Sequence, residues 1–170
     1  MNLKNKIRVI PDYPKEGVRF KDITTLLKDG AALKYTIEQF TDYCLDKDVD
    51  LVVGPESRGF IFGTPLAVSL GAGFVPIRKT GKLPAETERI EYSLEYGSDI
   101  LEIHKDAILP GQRVIICDDL LATGGTVQST AKLIEKLGGI VVGICFLIEL
   151  EFLNGRDKIS EYDVFSLVKY

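Results

Sequence analysis

The segment RVIICDDLLATGGT, Arg113 to Thr126, holds the residue types best suited to chemistry. An apolar run delivers two adjacent carboxylates, Asp118 and Asp119, and small residues then lead toward a helical pattern. With no cationic residue beside it in sequence, such a pair binds Mg2+ or accepts hydrogen bonds from vicinal sugar hydroxyls. Gly124 and Gly125 let the backbone approach a ligand closely and take positive φ, and Thr123 and Thr126 add hydroxyl donors. The helix start beyond them offers unpaired N–H groups with a partial positive charge, which suits a phosphate. Acids and phosphate grip lie only a few residues apart, so one short loop spans a ribose 5-phosphate. That spacing favours the sugar as the partner of the acids.

Rival motifs fail. No G-x-x-x-x-G-K-[ST] occurs, and Gly71-Ala72-Gly73 precedes a strand instead of following one, the wrong context for a dinucleotide turn. His104, the only histidine, shares the polar face of the alternating stretch ILEIHK with Glu102 and reads as structural or exposed. No second His or Cys lies at metal-ligand spacing, so no protein-built metal site is expected. Cys44, Cys117 and Cys145 have no C-x-x-C spacing and read as buried thiols in a reducing compartment.

A formal charge of −4 leaves no global basic footprint for a nucleic-acid partner. MNLKNKIRVIPDYP lacks the apolar core of a signal peptide, and no stretch approaches the ~18 apolar residues of a membrane span. A cytoplasmic protein with no membrane association is expected.

The chain has 170 residues, 45% hydrophobic and 27% charged, the size and composition of one globular domain. Such a domain buries roughly 70% of its unfolded surface and needs neither metal nor disulfide to hold it. Pro11, Pro14 and Gly17 make the opening segment an irregular arm. AALKYTIEQFTDYCL places Leu33, Ile37, Phe40 and Leu45 near helical spacing. LVVG, GFIFGTPLAVSLG and GFVPIR then read as strand, helix and strand, a unit that demands a parallel crossover. From Lys79 to Gly97 the sequence is polar with little periodicity, and a loop of that length reads as a lid.

Pro110-Gly111 turns into the strand RVIIC, and Asp118 to Gly125 reads as a loop. TVQSTAKLIEKLG follows as a helix with Val127, Leu133, Ile134 and Leu137 on one stripe. GIVVGICFLIEL is apolar throughout, as a central parallel strand covered on both faces must be, and YDVFSLV is a last strand. The expected architecture is one α/β domain over residues 1–170, a mostly parallel sheet flanked by helices.

VIICDDLLATGGT resembles the signature of the type I phosphoribosyltransferases, in the branch that uses adenine. IPDYPKEGVRFKDITTLL, GPESRGFIFGTPLA, IRKTGKLP and YSLEYGSDILEIHKDAI resemble that family's pattern in the same order, across nearly the whole chain. The resemblance implies the family's fold, with an N-terminal arm and a flexible flap. It also implies purine salvage: adenine and 5-phosphoribosyl-1-pyrophosphate (PRPP), with Mg2+, become AMP and pyrophosphate.

By the same resemblance Asp118 and Asp119 meet the ribose hydroxyls, and Ala122, Thr123, Gly124, Gly125 and Thr126 surround the 5-phosphate. The backbones of Glu56 and Ser57 and the guanidinium of Arg58 wrap the pyrophosphate, which suits fixed donors and a bidentate arginine. Arg78, Lys79 and Lys82 serve the same leaving group, with the arginine reaching across a homodimer interface. Phe20 stacks on the purine, the Lys21 backbone reads its edge, and Leu120 closes the other side. Glu95 handles a proton at purine N7 while Tyr96 covers the reacting centre. Two rivals remain: the same reaction on another base, and a nucleotide-sensing regulator, against which the missing DNA-binding domain counts.

Overall fold

The computed structural model describes residues 1–94 and 96–170. After a 3-10 turn at Leu3–Lys6, strands β1 (Arg8–Pro11) and β2 (Arg19–Asp22) pair antiparallel, with Ile10 opposite Phe20. The arm expected to be irregular is thus a ribbon. Pro11 ends its first strand and Pro14 and Gly17 fall in the connection, where they cost no ladder bond. Asp22 closes it: its carboxylate accepts from the Thr24 N–H at 2.9 Å, the Thr24 hydroxyl at 2.7 Å and Arg8 Nε at 2.9 Å.

A short helix, α1 (Thr24–Leu27), leads to α2 (Gly30–Cys44), whose start is capped by the Asp29 carboxylate on the N–H groups of Ala31 and Ala32. The buried row of α2 is Ala32, Thr36, Phe40 and Cys44. The expected stripe is therefore shifted. Leu33 and Ile37 are only partly buried, and Leu45, just past the helix, is 69% exposed.

β3 (Leu51–Pro55), α3 (Arg58–Leu70) and β4 (Gly73–Lys79) form the expected β-α-β unit, with Val53 beside Val75 in parallel register. The stretch expected to be a loop contains β5 (Thr87–Ser93), which pairs antiparallel with β6 (Ser98–His104). Ile90 and Tyr92 turn inward while Arg89, Glu91 and Ser93 face solvent, so a period of two exists beneath the charges.

β7 (Arg113–Leu121) runs through both acids before α4 (Gly125–Lys136) begins, so the expected loop is shortened to Ala122–Gly124. β8 (Ile140–Glu149), 3-10 turns at Glu151–Leu153 and Gly155–Ile159, and β9 (Val164–Lys169) complete the chain.

The main sheet has the order β5-β6-β4-β3-β7-β8-β9, parallel from β4 to β9 and antiparallel at β4-β6 and β6-β5. Alternate residues of β7 feed two cores: Ile115 and Cys117 pack toward Phe40 and Phe62, Val114 and Ile116 toward Leu133 and Ile134. Cys44, Cys117 and Cys145 are free and buried, and burial pushes the Cys44 thiol up to about 12. Connections run outward in opposite senses from β3 and β7. Ligands of open α/β sheets bind beyond the carboxyl ends of strands at such a switch point.

Candidate active site

The carboxyl ends of β3 and β7 open into a cleft of about 540 Å3 lined by Pro55 to Arg58 and Asp118 to Val127. Every residue expected on the sugar, the 5-phosphate and the core of the pyrophosphate is therefore brought to one cavity. Asp119 is buried, and its Oδ2 accepts from Arg58 Nε at 2.8 Å. Asp118 Oδ1 accepts from the Asp119 N–H at 2.8 Å. Burial, reinforced by the neighbouring Asp119 charge, pushes Asp118 well above the usual carboxylate range. Asp119 is also raised by burial, with Arg58 pulling the other way.

Beyond the acids the chain must turn sharply into α4. Gly124 supplies the left-handed residue at the helix start, φ 85°, and no side chain caps it. The first helical bond runs from the Gln128 N–H to the Gly124 carbonyl, so the preceding N–H groups remain for an anion. Thr126 presents its hydroxyl 3.4 Å from that of Tyr92. Tyr92 lies in β5, and its ring packs over Gly125. Sequence reading did not single it out; the alternation of Ile90 and Tyr92 was the available signal.

A second pocket of about 170 Å3 lies under the arm, between Val18, Arg19, Phe20 and Lys21 and the Ile148–Leu150 end of β8. It shares Arg58, Asp119 and Leu120 with the main cleft. Phe20 is half-buried, edge-on to Tyr13 at 5.2 Å. The Lys21 ammonium lies over the Tyr170 ring at 3.9 Å, and Lys21 is among the residues lining the pocket.

The basic cluster stands beside the main cleft and does not line it. Glu56 accepts from the Lys79 N–H and from Lys82 Nζ, each at 2.7 Å, and Arg78 NH2 is 3.5 Å away. Burial raises Glu56, but Lys82, the Lys79 N–H and Arg78 outweigh it and hold the carboxyl below its ordinary value. Lys79 Nζ pairs with Asp99 at 2.7 Å. Tyr96 is 84% exposed. Glu95 lies outside the described residues.

His104 does not line the cleft, and its Nε2 accepts from the Ala85 N–H at 3.3 Å. Glu102, expected with it on a polar face, is buried instead, receiving the Gly81 N–H at 3.2 Å with Arg89 at 3.9 Å. Among the described residues, no three His, Cys, Asp or Glu side chains converge into a metal cage. Two hard carboxylates beside a phosphate grip fit Mg2+, which keeps water and phosphate ligands and needs few from protein. No helix among the described residues is long and apolar enough to cross a membrane.

Two acids at a strand end, an uncapped helix start and a side pocket sharing their wall suit a phosphorylated sugar carrying a second group. The phosphoribosyl transferase domain model matches residues 21–169. An adenine phosphoribosyltransferase of Clostridium novyi is 65% identical over 170 residues, covering 100% of this chain and 99% of that protein. The crystal structure of an adenine phosphoribosyltransferase from Thermoanaerobacter pseudethanolicus superposes with a TM-score of 0.95 at 60% identity, over 99% of this chain and 98% of that one. A Saccharomyces cerevisiae adenine phosphoribosyltransferase, complexed with an imino-altritol bisphosphate and adenine, superposes with a TM-score of 0.92 at 41% identity, over 97% and 96% of the two chains. The chain belongs to the phosphoribosyltransferase family, with the type I fold, and is a pentosyltransferase.

Proposed function

We infer that the chain transfers the phosphoribosyl group of PRPP to adenine, forming AMP and releasing pyrophosphate, and so acts in purine salvage. The observation that carries this reading is the shared wall of the two pockets. A ribose held by Asp118 and Asp119 presents its anomeric carbon toward Arg58, Asp119 and Leu120, where the pocket behind Phe20 meets the main cleft. The likeness, over 99–100% of this chain, to proteins named adenine phosphoribosyltransferase supports adenine as the base.

In this reading Ala122 to Thr126 take the 5-phosphate on backbone N–H groups, and Asp118 and Asp119 fix the ribose hydroxyls. The backbones of Glu56 and Ser57 and the free edge of the Arg58 guanidinium receive the pyrophosphate. Arg78, Lys79 and Lys82 exchange their contacts with Glu56 and Asp99 for the leaving group, Arg78 acting across the interface of a homodimer. Phe20 and Leu120 sandwich the purine, and the Lys21 backbone reads its edge. Hydrogen bonds must select adenine, because stacking accepts any base while an unmatched buried donor costs about 1–3 kcal/mol.

The bond from the anomeric carbon to pyrophosphate breaks with its electron pair going to the leaving oxygen, and the lone pair of the unprotonated purine N9 then bonds the carbon while the proton on N7 passes to the Glu95 carboxylate. The acids hold the sugar beside the positive charge that develops, while Arg58 and the lysines offset the charge that departs. Asp118 and Asp119 would stand beside a Mg2+ ion held mainly by PRPP, pyrophosphate and water, and such an ion would add to the neutralisation of the leaving group. Glu95 manages the proton at N7, and Tyr96 with the β5–β6 flap excludes water that would hydrolyse the activated sugar. Three free thiols, two of them cross-strand neighbours left unbridged, suit a reducing cytoplasm.

The test is pyrophosphate release by purified protein with PRPP and Mg2+, comparing adenine, hypoxanthine, guanine, xanthine and orotate. Release with adenine alone is expected. Release with a different base overturns the assignment of the pocket, and silence with every base overturns catalysis in favour of a nucleotide sensor.

A further inference from the structure

The phosphate loop has a neighbour from elsewhere in the chain. Gly155, buried at the head of the Gly155–Ile159 turn, lies backbone to backbone against it. A Cβ at Gly155 would fall on the Ala122 carbonyl oxygen, and one at Gly124 would stand 2.5 Å from the Gly155 carbonyl oxygen. The contour of Ala122–Gly124, and with it the direction of the N–H groups at the start of α4, is therefore moulded on Gly155.

No strand holds Gly155 in place; it follows Asn154, which has φ 53°. The adjoining residue does the holding. Arg156 donates from Nε to Glu149 Oε1 at 2.6 Å and from NH2 to Oε2 at 2.8 Å, and from NH1 to the Val164 carbonyl at 3.0 Å. Glu149 is 4% exposed and sits opposite Leu121, the residue that precedes the phosphate loop. The Leu150 N–H donates to the Leu121 carbonyl at 2.9 Å. One planar fork thus references Gly155 to the same strand end from which the loop departs. A lysine keeps the charge but cannot reproduce a bidentate, oriented grip.

We propose that Arg156, clamped by Glu149, is a positioning residue for the phosphate loop: it seats Gly155 against Ala122 and Gly124 and so sets the 5-phosphate site. The inference rests on the reading of Ala122 to Thr126 as that site. It touches no reacting atom.

The experiment compares AMP with adenosine, which differ only in the 5-phosphate, by calorimetric titration of the wild type, Arg156→Lys and Glu149→Gln, each shown to be folded by circular dichroism. The wild type should prefer AMP strongly. Both variants should lose about 10–100-fold in AMP affinity while adenosine affinity stays at the wild-type level, so that the ratio collapses. A merely structural pair would weaken both ligands together or neither, and either result overturns the positioning role. If the wild type itself shows no preference for AMP, the phosphate assignment fails first, and that failure is visible without any variant.

Discussion

Arg58 Nε lies 2.8 Å from Asp119 Oδ2, an ion pair that joins the first residue of α3 to the carboxyl end of β7 across the cleft. The guanidinium proposed for the leaving group is thereby oriented by an acid proposed for the sugar. Asp119 uses one edge of the fork, and the other remains for pyrophosphate. Arg58→Lys removes the fork while keeping the charge. It should lower kcat about 10²–10³-fold, the usual loss when one fixed donor to developing charge is removed. Steady-state rates at saturating PRPP and adenine check this, and a kcat within a few-fold of wild type would contradict it.

Asp118 gives a prediction with a sign. Burial and the adjoining Asp119 raise its pKa, so it favours the neutral form in the folded protein. A group raised in this way contributes stability at pH below its unfolded value, about 3.9, and that contribution is lost as pH rises through the folded value. At pH 7 the raised pKa of Asp118 is a cost carried by the ligand-free fold. Asp118→Asn retains an acceptor for the Asp119 N–H and removes the charge. It should raise Tm at pH 7 by about 2–4 °C, with the difference vanishing near pH 4, while turnover collapses. Melting curves at the two pH values decide it; a lower Tm at pH 7 would mean that the charge is stabilising where it stands.

Phe20 tests the second pocket separately. Phe20→Ala should raise KM for adenine about 10–100-fold, the range expected for loss of one stacking face, and leave KM for PRPP unchanged. Initial rates with each substrate varied in turn separate the two. Equal increases would place Phe20 in the fold of the ribbon and not against the base.

How much of this was legible in the chain depends on whether a residue's role was local. RVIICDDLLATGGT displays its strand, its acids and its helix start within one stretch, because all three follow one another directly along the chain. The β5 strand was hidden because Glu86, Glu88, Arg89 and Glu91 swamp the two inward residues, Ile90 and Tyr92. The ribbon of the arm was hidden for another reason: its four-residue strands are fixed by Asp22 reaching Arg8 and Thr24, a contact no periodicity records. By resemblance Arg78, Lys79 and Lys82 serve the leaving group, and that Glu56 and Asp99 hold them in the ligand-free chain is something only the fold can reveal. Glu149 did leave a trace, as an acid at the close of an apolar run that had to find a partner.

Tyr92 ties the flap to the phosphate loop, and that link can be cut one atom at a time. Its hydroxyl is 3.4 Å from Thr126 Oγ1, and its ring packs over Gly125. Asp99, opposite Tyr92 in the β5–β6 ladder, pairs with Lys79, whose ammonium holds it below its ordinary pKa. The Tyr92 hydroxyl thus faces a threonine assigned to the 5-phosphate from a strand whose neighbour carries the partner of Lys79. Tyr92→Phe keeps the ring and removes the hydroxyl. It should raise KM for PRPP about 2–10-fold, the worth of one net hydrogen bond, and leave KM for adenine unaltered. Tyr92→Ala also strips the packing on Gly125 and should raise KM for PRPP further. If Tyr92→Phe matches wild type and only Tyr92→Ala is impaired, the ring alone supports the loop and the hydroxyl has no part in binding.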